Sequence, residues 1–138
     1  MYTIGRLAHR AGVNADSIRF YERQGLLAPS QKTASGYRLY ADDALRRLAF
    51  IKHAQRCGFN LADIRELLAF DSRDERARAG AIAVAERKLA EIGDVRVALT
   101  RMEQALTDLL AASRDASSVG GERSIVVAFE AASGAGPT

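Results

Sequence analysis

The sequence predicts a mainly α fold, in which a small helical domain with one β-hairpin precedes a single long helix. Apolar residues recur at helical spacing through most of the chain, an alternating run follows Gly36, and a heptad-like apolar seam runs through the second half. We expect five segments, which are a domain at 1–70, a connector at 71–75, a long helix at 76–111, a loop with a short apolar segment at 112–130, and a disordered tail at 131–138.

The first two predicted helices are joined closely enough to make a helix-turn-helix. Thr3 is a candidate N-cap for a helix whose apolar face comprises Ile4, Leu7, Ala8 and Ala11. Gly12 permits a tight turn, and Asn14 can cap a second helix that ends near Gly25. This geometry can present the second helix to a DNA major groove, which is about 12 Å wide. A small helical hairpin with a charged outer face fits this segment equally well.

The outer face of the second helix carries the residues that we expect to meet DNA. They are Ser17, Arg19, Arg23 and one of the two aromatic residues Phe20 and Tyr21. Arg19 and Arg23 lie about one helical turn apart. Their guanidinium groups can therefore address phosphates or guanine edges together.

A β-hairpin is predicted directly after this helix. Residues 37–40 alternate in the manner of a strand, and the polar, small residues 30–36 form the hairpin tip. Lys32 and Arg38 are then placed to contact the DNA backbone as a wing. Alternatively, the hairpin is structural and packs Tyr37 and Tyr40 on the core, and both interpretations can hold together.

Two more helices complete the first domain, and this domain holds the whole basic excess of the chain. Asp42 and Asp43 open a helix that runs to about Arg56, and Asn60 caps another that ends near Leu68. The formal net charge of +3 divides into +5 for residues 1–70 and −2 for residues 71–138. This asymmetry favours a polyanionic partner for the first domain.

The second half of the chain carries one long apolar seam. Its members are Ile82, Ala85, Leu89, Ile92, Val95, Leu99, Met102, Leu106 and Leu109. Their spacing of three and four residues is that of a coiled coil. Because the sequence predicts no second long helix to cover the seam, we expect an antiparallel two-stranded coiled coil in a homodimer. The alternative is that the helix folds back onto the first domain, which is too small to cover it.

Several classes of protein are excluded or disfavoured by composition. The single cysteine, Cys57, cannot form an intrachain disulfide or a thiolate zinc site by itself. We find no membrane span and no apolar signal segment at the start, so we expect a cytoplasmic protein. The residues include no nucleophile–base pair, phosphate loop or metal triad, so we expect neither an enzyme nor a metal or cofactor site. Cys57 is either a redox sensor or a small hydrophobe in a turn.

Four motifs occur in an order and spacing that resemble the MerR family of bacterial transcription regulators. They are Thr3-Ile4-Gly5 to Gly12-Val13, Ile18-Arg19-Phe20-Tyr21-Glu22 to Gly25-Leu26-Leu27, Gly36-Tyr37-Arg38-Leu39-Tyr40, and Phe50-Ile51 to Leu67-Leu68. The resemblance implies a winged helix-turn-helix domain, a coiled-coil homodimer and a C-terminal effector loop. It also implies a mechanism, in which the dimer binds a palindromic promoter element and distorts the DNA in response to an effector, so that RNA polymerase can use the promoter.

The resemblance also assigns roles to individual residues. Ser17, Arg19 and Tyr21 match the recognition-helix positions of the family, and Tyr37, Arg38 and Tyr40 match its wing. The positions at which metal-sensing members carry cysteine become Arg78, Ser113 (or Arg114) and Arg123. Soft metals need thiolates, so we do not expect a thiolate metal sensor. If these residues converge they suit an anionic effector; otherwise they are solvated or pair with Asp115 and Glu122.

The partners that we expect are double-stranded DNA, a second copy of the chain and RNA polymerase, with a nucleoid-associated location and no membrane. The second function that remains open is a dimeric architectural or protein-interaction module without effector control. Effector identity is left undetermined by these residues.

Overall fold

The computed structural model describes residues 1–114 and 124–132. The chain divides into two compact units, Met1–Ala85 and Glu86–Thr138. Its elements are β1 (Tyr2–Thr3), α1 (Ile4–Ala11), α2 (Ala15–Arg23), β2 (Gln31–Lys32), β3 (Arg38–Tyr40), α3 (Asp42–Arg56), α4 (Leu61–Leu68), a 3₁₀ turn (Ala69–Asp71), α5 (Glu75–Arg114) and α6 (Ile125–Ala132). The mainly helical fold class is confirmed. Most of the predicted effector loop, Arg123 included, lies outside the described residues.

The predicted helix caps are confirmed in the first unit. The Thr3 side chain accepts a hydrogen bond from the Arg6 amide at 3.3 Å, and Asn14 Oδ1 accepts one from the Ser17 amide at 2.8 Å. Gly12 ends α1 with a φ of 69°, a left-handed conformation that favours glycine. The caps and this glycine fix the short turn between α1 and α2.

The wing is a three-stranded antiparallel sheet in the order β1-β3-β2. Tyr2 pairs with Tyr40 and Gln31 pairs with Leu39. The predicted tip at 30–36 is too long, because Gln31–Lys32 already pairs as β2. The turn itself is closed by the Tyr37 amide, which donates to Thr33 Oγ1 at 3.0 Å.

The core of the first unit draws buried side chains from α1, α2, α3, α4 and β3. The largest fully buried side chains are Leu7, Ile18, Leu26, Tyr40, Leu48, Ile51 and Ile64. Burying each aliphatic side chain stabilises the fold by about 1.5–3 kcal/mol. The core therefore holds α1, α2, β3, α3 and α4 in one arrangement.

The two C-terminal helices are longer than the sequence predicts. α5 continues past residue 111 to Arg114, and α6 continues to Ala132, beyond the residue where the sequence predicts the tail to begin. Ala105 of α5 is fully buried in the second unit, where α5 and α6 both contribute to a cavity of about 190 Å³. Within the described residues, no helix combines the length and apolar character needed to cross a membrane.

Candidate nucleic-acid interface

A groove lies between α2 and the wing on the surface of the first unit. It has a volume of about 530 Å³ and is lined by Arg19, Glu22, Arg23, Leu27, Ala28, Pro29, Lys32 and Arg38. The four cations in this set come from the recognition helix and from two strands of the wing. The structure thus brings together Arg19, Arg23, Lys32 and Arg38, as the sequence predicts.

The aromatic neighbours on α2 point in opposite senses. Phe20 is 37% exposed, whereas Tyr21 is buried and its hydroxyl donates to Gln55 Oε1 at 2.9 Å. Of the two candidates for the outer face, the structure selects Phe20. The Tyr21 hydroxyl links α2 to α3 through this hydrogen bond. Because the side chain is buried, we correct the prediction that Tyr21 contacts DNA to a structural role.

For Tyr40 the structure selects the second of the two interpretations, packing on the core, and not the contact with DNA. The side chain is fully buried in the core, and its hydroxyl donates to Glu22 Oε1. A direct contact with DNA would require the core to open, so the prediction for Tyr40 is corrected to a structural one. Tyr37, by contrast, is 71% exposed near the hairpin tip and remains a candidate contact.

Two cations of the groove are held by carboxylates of α2. Arg19 Nη1 lies 2.9 Å from Asp16 Oδ1, an exposed pair one turn apart. Arg38 Nη1 lies 2.5 Å from Glu22 Oε2, and the Glu22 side chain is only 10% exposed. The exposed pair contributes little to stability, about 0–1 kcal/mol, whereas the shielded pair fixes the wing against the recognition helix.

Three cations that the sequence counts toward a basic DNA-binding surface are used inside the unit. Lys52 Nζ donates to the Ala11 carbonyl at 3.1 Å. Arg65 Nε donates to the Gln24 carbonyl at 2.7 Å, and Arg47 donates to the Leu26 carbonyl. These carbonyls lie where α1 and α2 end and no further helical partner is available. Their spacing along the sequence gives no sign of this function, because each donor is 21 to 41 residues from its acceptor.

The predicted dimer positions form an exposed apolar stripe in the second unit. We call the residues Leu89, Ile92, Val95, Leu99, Met102 and Leu106 the apolar face of α5, and each is between 41% and 68% exposed. Ile82, in the first unit, is 46% exposed. Leu109 differs from these, because it is half-buried and lines the cavity between α5 and α6.

The predicted effector residues lie in both units. The Arg78 guanidinium lies over the Phe70 ring, 5.1 Å from its centroid. Ser113 and Arg114 are exposed in the last turn of α5, where Ser113 Oγ donates to the Leu110 carbonyl at 2.9 Å. Arg123 lies outside the described residues, so the convergence of these four residues stays a prediction.

The single thiol of the chain lies in the first unit. Cys57 is exposed at the end of α3, and its Sγ lies 3.9 Å from His53 Nε2. Within the described ranges 1–114 and 124–132, no group of three His, Cys, Asp or Glu residues is placed to hold a metal ion. A redox role for Cys57 stays a prediction.

The residues that line the groove lie in a part of the chain that matches a known protein family. Residues 2–71 match the model described as MerR HTH family regulatory protein, and residues 45–109 match the model described as MerR, DNA binding. The chain belongs to the MerR family. It is therefore a DNA-binding transcription regulator, and the residues that line the groove between α2 and the wing lie within the match at 2–71.

Individual MerR relatives cover most of the chain. The mercuric resistance operon regulatory protein of Shigella flexneri is 41% identical over 80% of this chain and 75% of its own length. The HTH-type transcriptional regulator ZntR of Escherichia coli strain K12 is 38% identical over 76% of this chain and 80% of its own length.

Solved MerR structures share the architecture. The regulator PbrR691 of Ralstonia metallidurans CH34, solved in complex with lead(II), gives a TM-score of 0.56 at 31% identity, over 80% of this chain and 87% of its own. HiNmlR, solved on promoter DNA, gives 0.68 at 23% identity over 91% and 98%, a likeness of fold alone.

The alkaline stability of this MerR protein should depend on Tyr40. Burial, followed by the hydrogen bond to Glu22, raises the pKa of Tyr40 to about 12 from its usual 10.0. The unfolded chain releases this proton first, so the stabilisation is complete below pH 10 and is lost as the pH rises toward 12. We expect Tyr40→Phe to remove a pH-dependent loss of about 2 kcal/mol over that window, measured by urea unfolding. Tyr37→Phe, at an exposed position, is the control, and equal pH profiles for wild type and Tyr40→Phe would contradict the assignment.

Proposed function

We propose that the chain is a homodimeric regulator that binds a palindromic promoter element and distorts its DNA in response to an effector. The observation that supports this most directly is the clustering of Arg19, Arg23, Lys32 and Arg38 around one groove. Cations from the helix and from the wing can then contact phosphates on both sides of the recognition helix. RNA polymerase is the proposed further partner at the promoter, and the cytoplasm, on the nucleoid, is the proposed location.

Base recognition is assigned to the exposed residues of α2. Arg19 and Arg23 are the exposed cations of this helix, Phe20 is exposed beside them, and Ser17 is half-buried in its first turn. An arginine can bind a guanine edge through two hydrogen bonds from its planar guanidinium group. The wing residues Lys32, Tyr37 and Arg38 then hold the register by phosphate contacts.

The homodimer is proposed from the apolar face of α5. Six large apolar side chains are exposed along one stripe, as at protein–protein interaction surfaces, and their spacing is that of a coiled-coil seam. A second copy offers the same stripe, so an antiparallel pairing covers both faces at once. Ile82 continues the seam in sequence, and Leu109 ends it. The pairing would also set the separation of the two recognition helices on the palindrome.

The effector is proposed to be something other than a metal held by thiolates. The chain contains one cysteine, which lies in the first unit at the end of α3. Arg78, Ser113, Arg114 and Arg123 are proposed to bind an organic anion. The alternative function, an architectural or interaction module without effector control, keeps the same dimer and lacks this response.

Arg19→Ala should weaken binding to the palindrome upstream of the protein's own reading frame by about tenfold to a hundredfold, because a base contact is worth about 1–3 kcal/mol. Binding to random DNA should change far less. Both affinities are measured by gel shift at several salt concentrations. Arg46→Ala, which removes an exposed cation of α3, is the control. Equal losses on the two DNAs would assign Arg19 to phosphate, and a wild type without salt-sensitive specific binding would reject the proposed regulator.

Leu99→Lys should convert the dimer to a monomer at micromolar concentration, because it places a charge in the middle of the apolar face of α5. Leu99 is 63% exposed in the single chain, so the substitution leaves the fold of the protomer intact. Val97→Lys is the matched control, since Val97 is 59% exposed but lies about 200° around the helix from Leu99. Sedimentation velocity distinguishes the species. A wild type that sediments as a monomer contradicts the proposal, as do two variants that behave alike.

Small organic anions should raise the melting temperature of the wild type by several degrees, whereas copper(I) and zinc should leave it unchanged. The expected shift follows from ligand binding to the folded state alone. Arg114→Ala should abolish the response to the anion. Stabilisation by copper(I) or zinc at near-stoichiometric concentration would overturn the proposal that the effector is not a thiolate-bound metal.

A further inference from the structure

An acid stands in the middle of the basic groove. Of the residues that line it in the described part of the chain, Glu22 alone carries a negative charge, amid Arg19, Arg23, Lys32 and Arg38. A carboxylate at this place repels DNA phosphates and lowers the attraction of the groove for any duplex. Phosphate binding therefore does not explain why residue 22 is a glutamate.

The carboxylate is engaged by two side chains of one strand. Arg38 Nη1 donates to Glu22 Oε2 at 2.5 Å, and the Tyr40 hydroxyl donates to Glu22 Oε1. Arg38 and Tyr40 are two residues apart on β3, so their side chains project from the same face of the strand. Glu22 Oε2 thus accepts from a side chain at the surface, and Glu22 Oε1 accepts from a side chain in the core.

The two partners differ in their access to solvent. Tyr40 is fully buried, whereas the Arg38 side chain is 44% exposed. A guanidinium has five N–H donors, so the contact through Nη1 leaves others for a phosphate. Glu22 therefore holds Arg38 in one position while its outer edge remains accessible.

We propose that Glu22 is a positioning residue for DNA recognition, which fixes the wing cation Arg38 against the recognition helix and cancels one positive charge of the groove. This proposal rests on the proposed function of the groove. Held in place, Arg38 meets a phosphate only when α2 is seated in its own register. Non-specific attraction is lowered at the same time, so the ratio of palindrome to random binding rises.

Glu22→Gln tests the proposal, because it removes the charge and keeps an amide oxygen for the Tyr40 hydroxyl. Dissociation constants for the palindrome and for random DNA are measured between 50 and 300 mM salt, in the full-length protein. We expect the salt slope on random DNA to steepen by about 0.9, the counterion equivalent of one more free cation. Random binding should strengthen several-fold at the lowest salt, and the ratio of palindrome to random affinity should fall about tenfold.

Two further variants separate charge from position. Glu66→Gln removes an exposed carboxylate from α4 and makes the same change in net charge, and it should leave both the slope and the ratio at wild-type values. The double variant Glu22→Gln with Arg38→Met restores the net charge of the groove but has no link between wing and helix. We expect it to recover the wild-type salt slope while the ratio stays low.

The outcomes are distinguishable from a failure of the proposed function. A wild type that binds palindrome and random DNA equally well rejects the proposed function itself. If the wild type is specific, an unchanged slope and ratio in Glu22→Gln overturns the positioning role alone. Equal weakening on both DNAs, with a lowered melting temperature, also overturns it, because that result describes a residue needed only for stability. If Glu22→Gln fails to fold, Arg38→Met, a change at a half-exposed side chain, must lower the ratio or the proposal is wrong.

Discussion

The ends of α1 and α2 are held by hydrogen bonds from side chains that belong to other helices. A helix leaves its last carbonyl groups without partners, and both of these helices turn away sharply through glycines in the left-handed conformation, Gly12 and Gly25. Lys52, Arg47 and Arg65 donate to carbonyls at these two turns from α3 and α4. Each such bond contributes about 1–3 kcal/mol and, unlike core packing, has a direction. The exposed face of α2, and with it the groove, depends on that direction.

The sequence predicts the helices of the first unit well because their signals are local. Thr3, Asn14 and Asn60 are caps that act over three residues, and Gly12 ends a helix through its own backbone. The resemblance to MerR proteins is local too, since its motifs are short and their spacing is fixed. The groove cations followed from the same motifs, because α2 and the wing are adjacent in the sequence.

Several features of the first unit that the sequence misses or leaves open depend on contacts between residues far apart in the chain. The strand β1 has two residues, too few for any periodicity, and exists because Tyr2 and Thr3 pair with β3. Tyrosine is a residue type that often contacts DNA at a surface. In this structure the hydroxyls of Tyr21 and Tyr40 instead donate hydrogen bonds to Gln55 and Glu22, which belong to other elements. A count of charges cannot separate a cation that faces solvent from one that caps a distant carbonyl. The family models end at residues 71 and 109, so Ser113, Arg114 and Arg123 lie beyond both of them.

The three cations that donate to carbonyls, Lys52, Arg47 and Arg65, also bear on how the first unit responds to salt. The oxygens that they meet are neutral carbonyls, and the contacts made by Lys52 and Arg47 are partly buried, so dissolved ions compete with them weakly. The phosphate contacts that we propose for the groove respond to salt in the opposite way, since ions return to the DNA when the protein leaves. Raising the ionic strength should therefore weaken the binding of the first unit to DNA without disturbing the arrangement of α2 and the wing. A protein that dissociates from one DNA site then keeps its DNA-binding surface folded for binding at another.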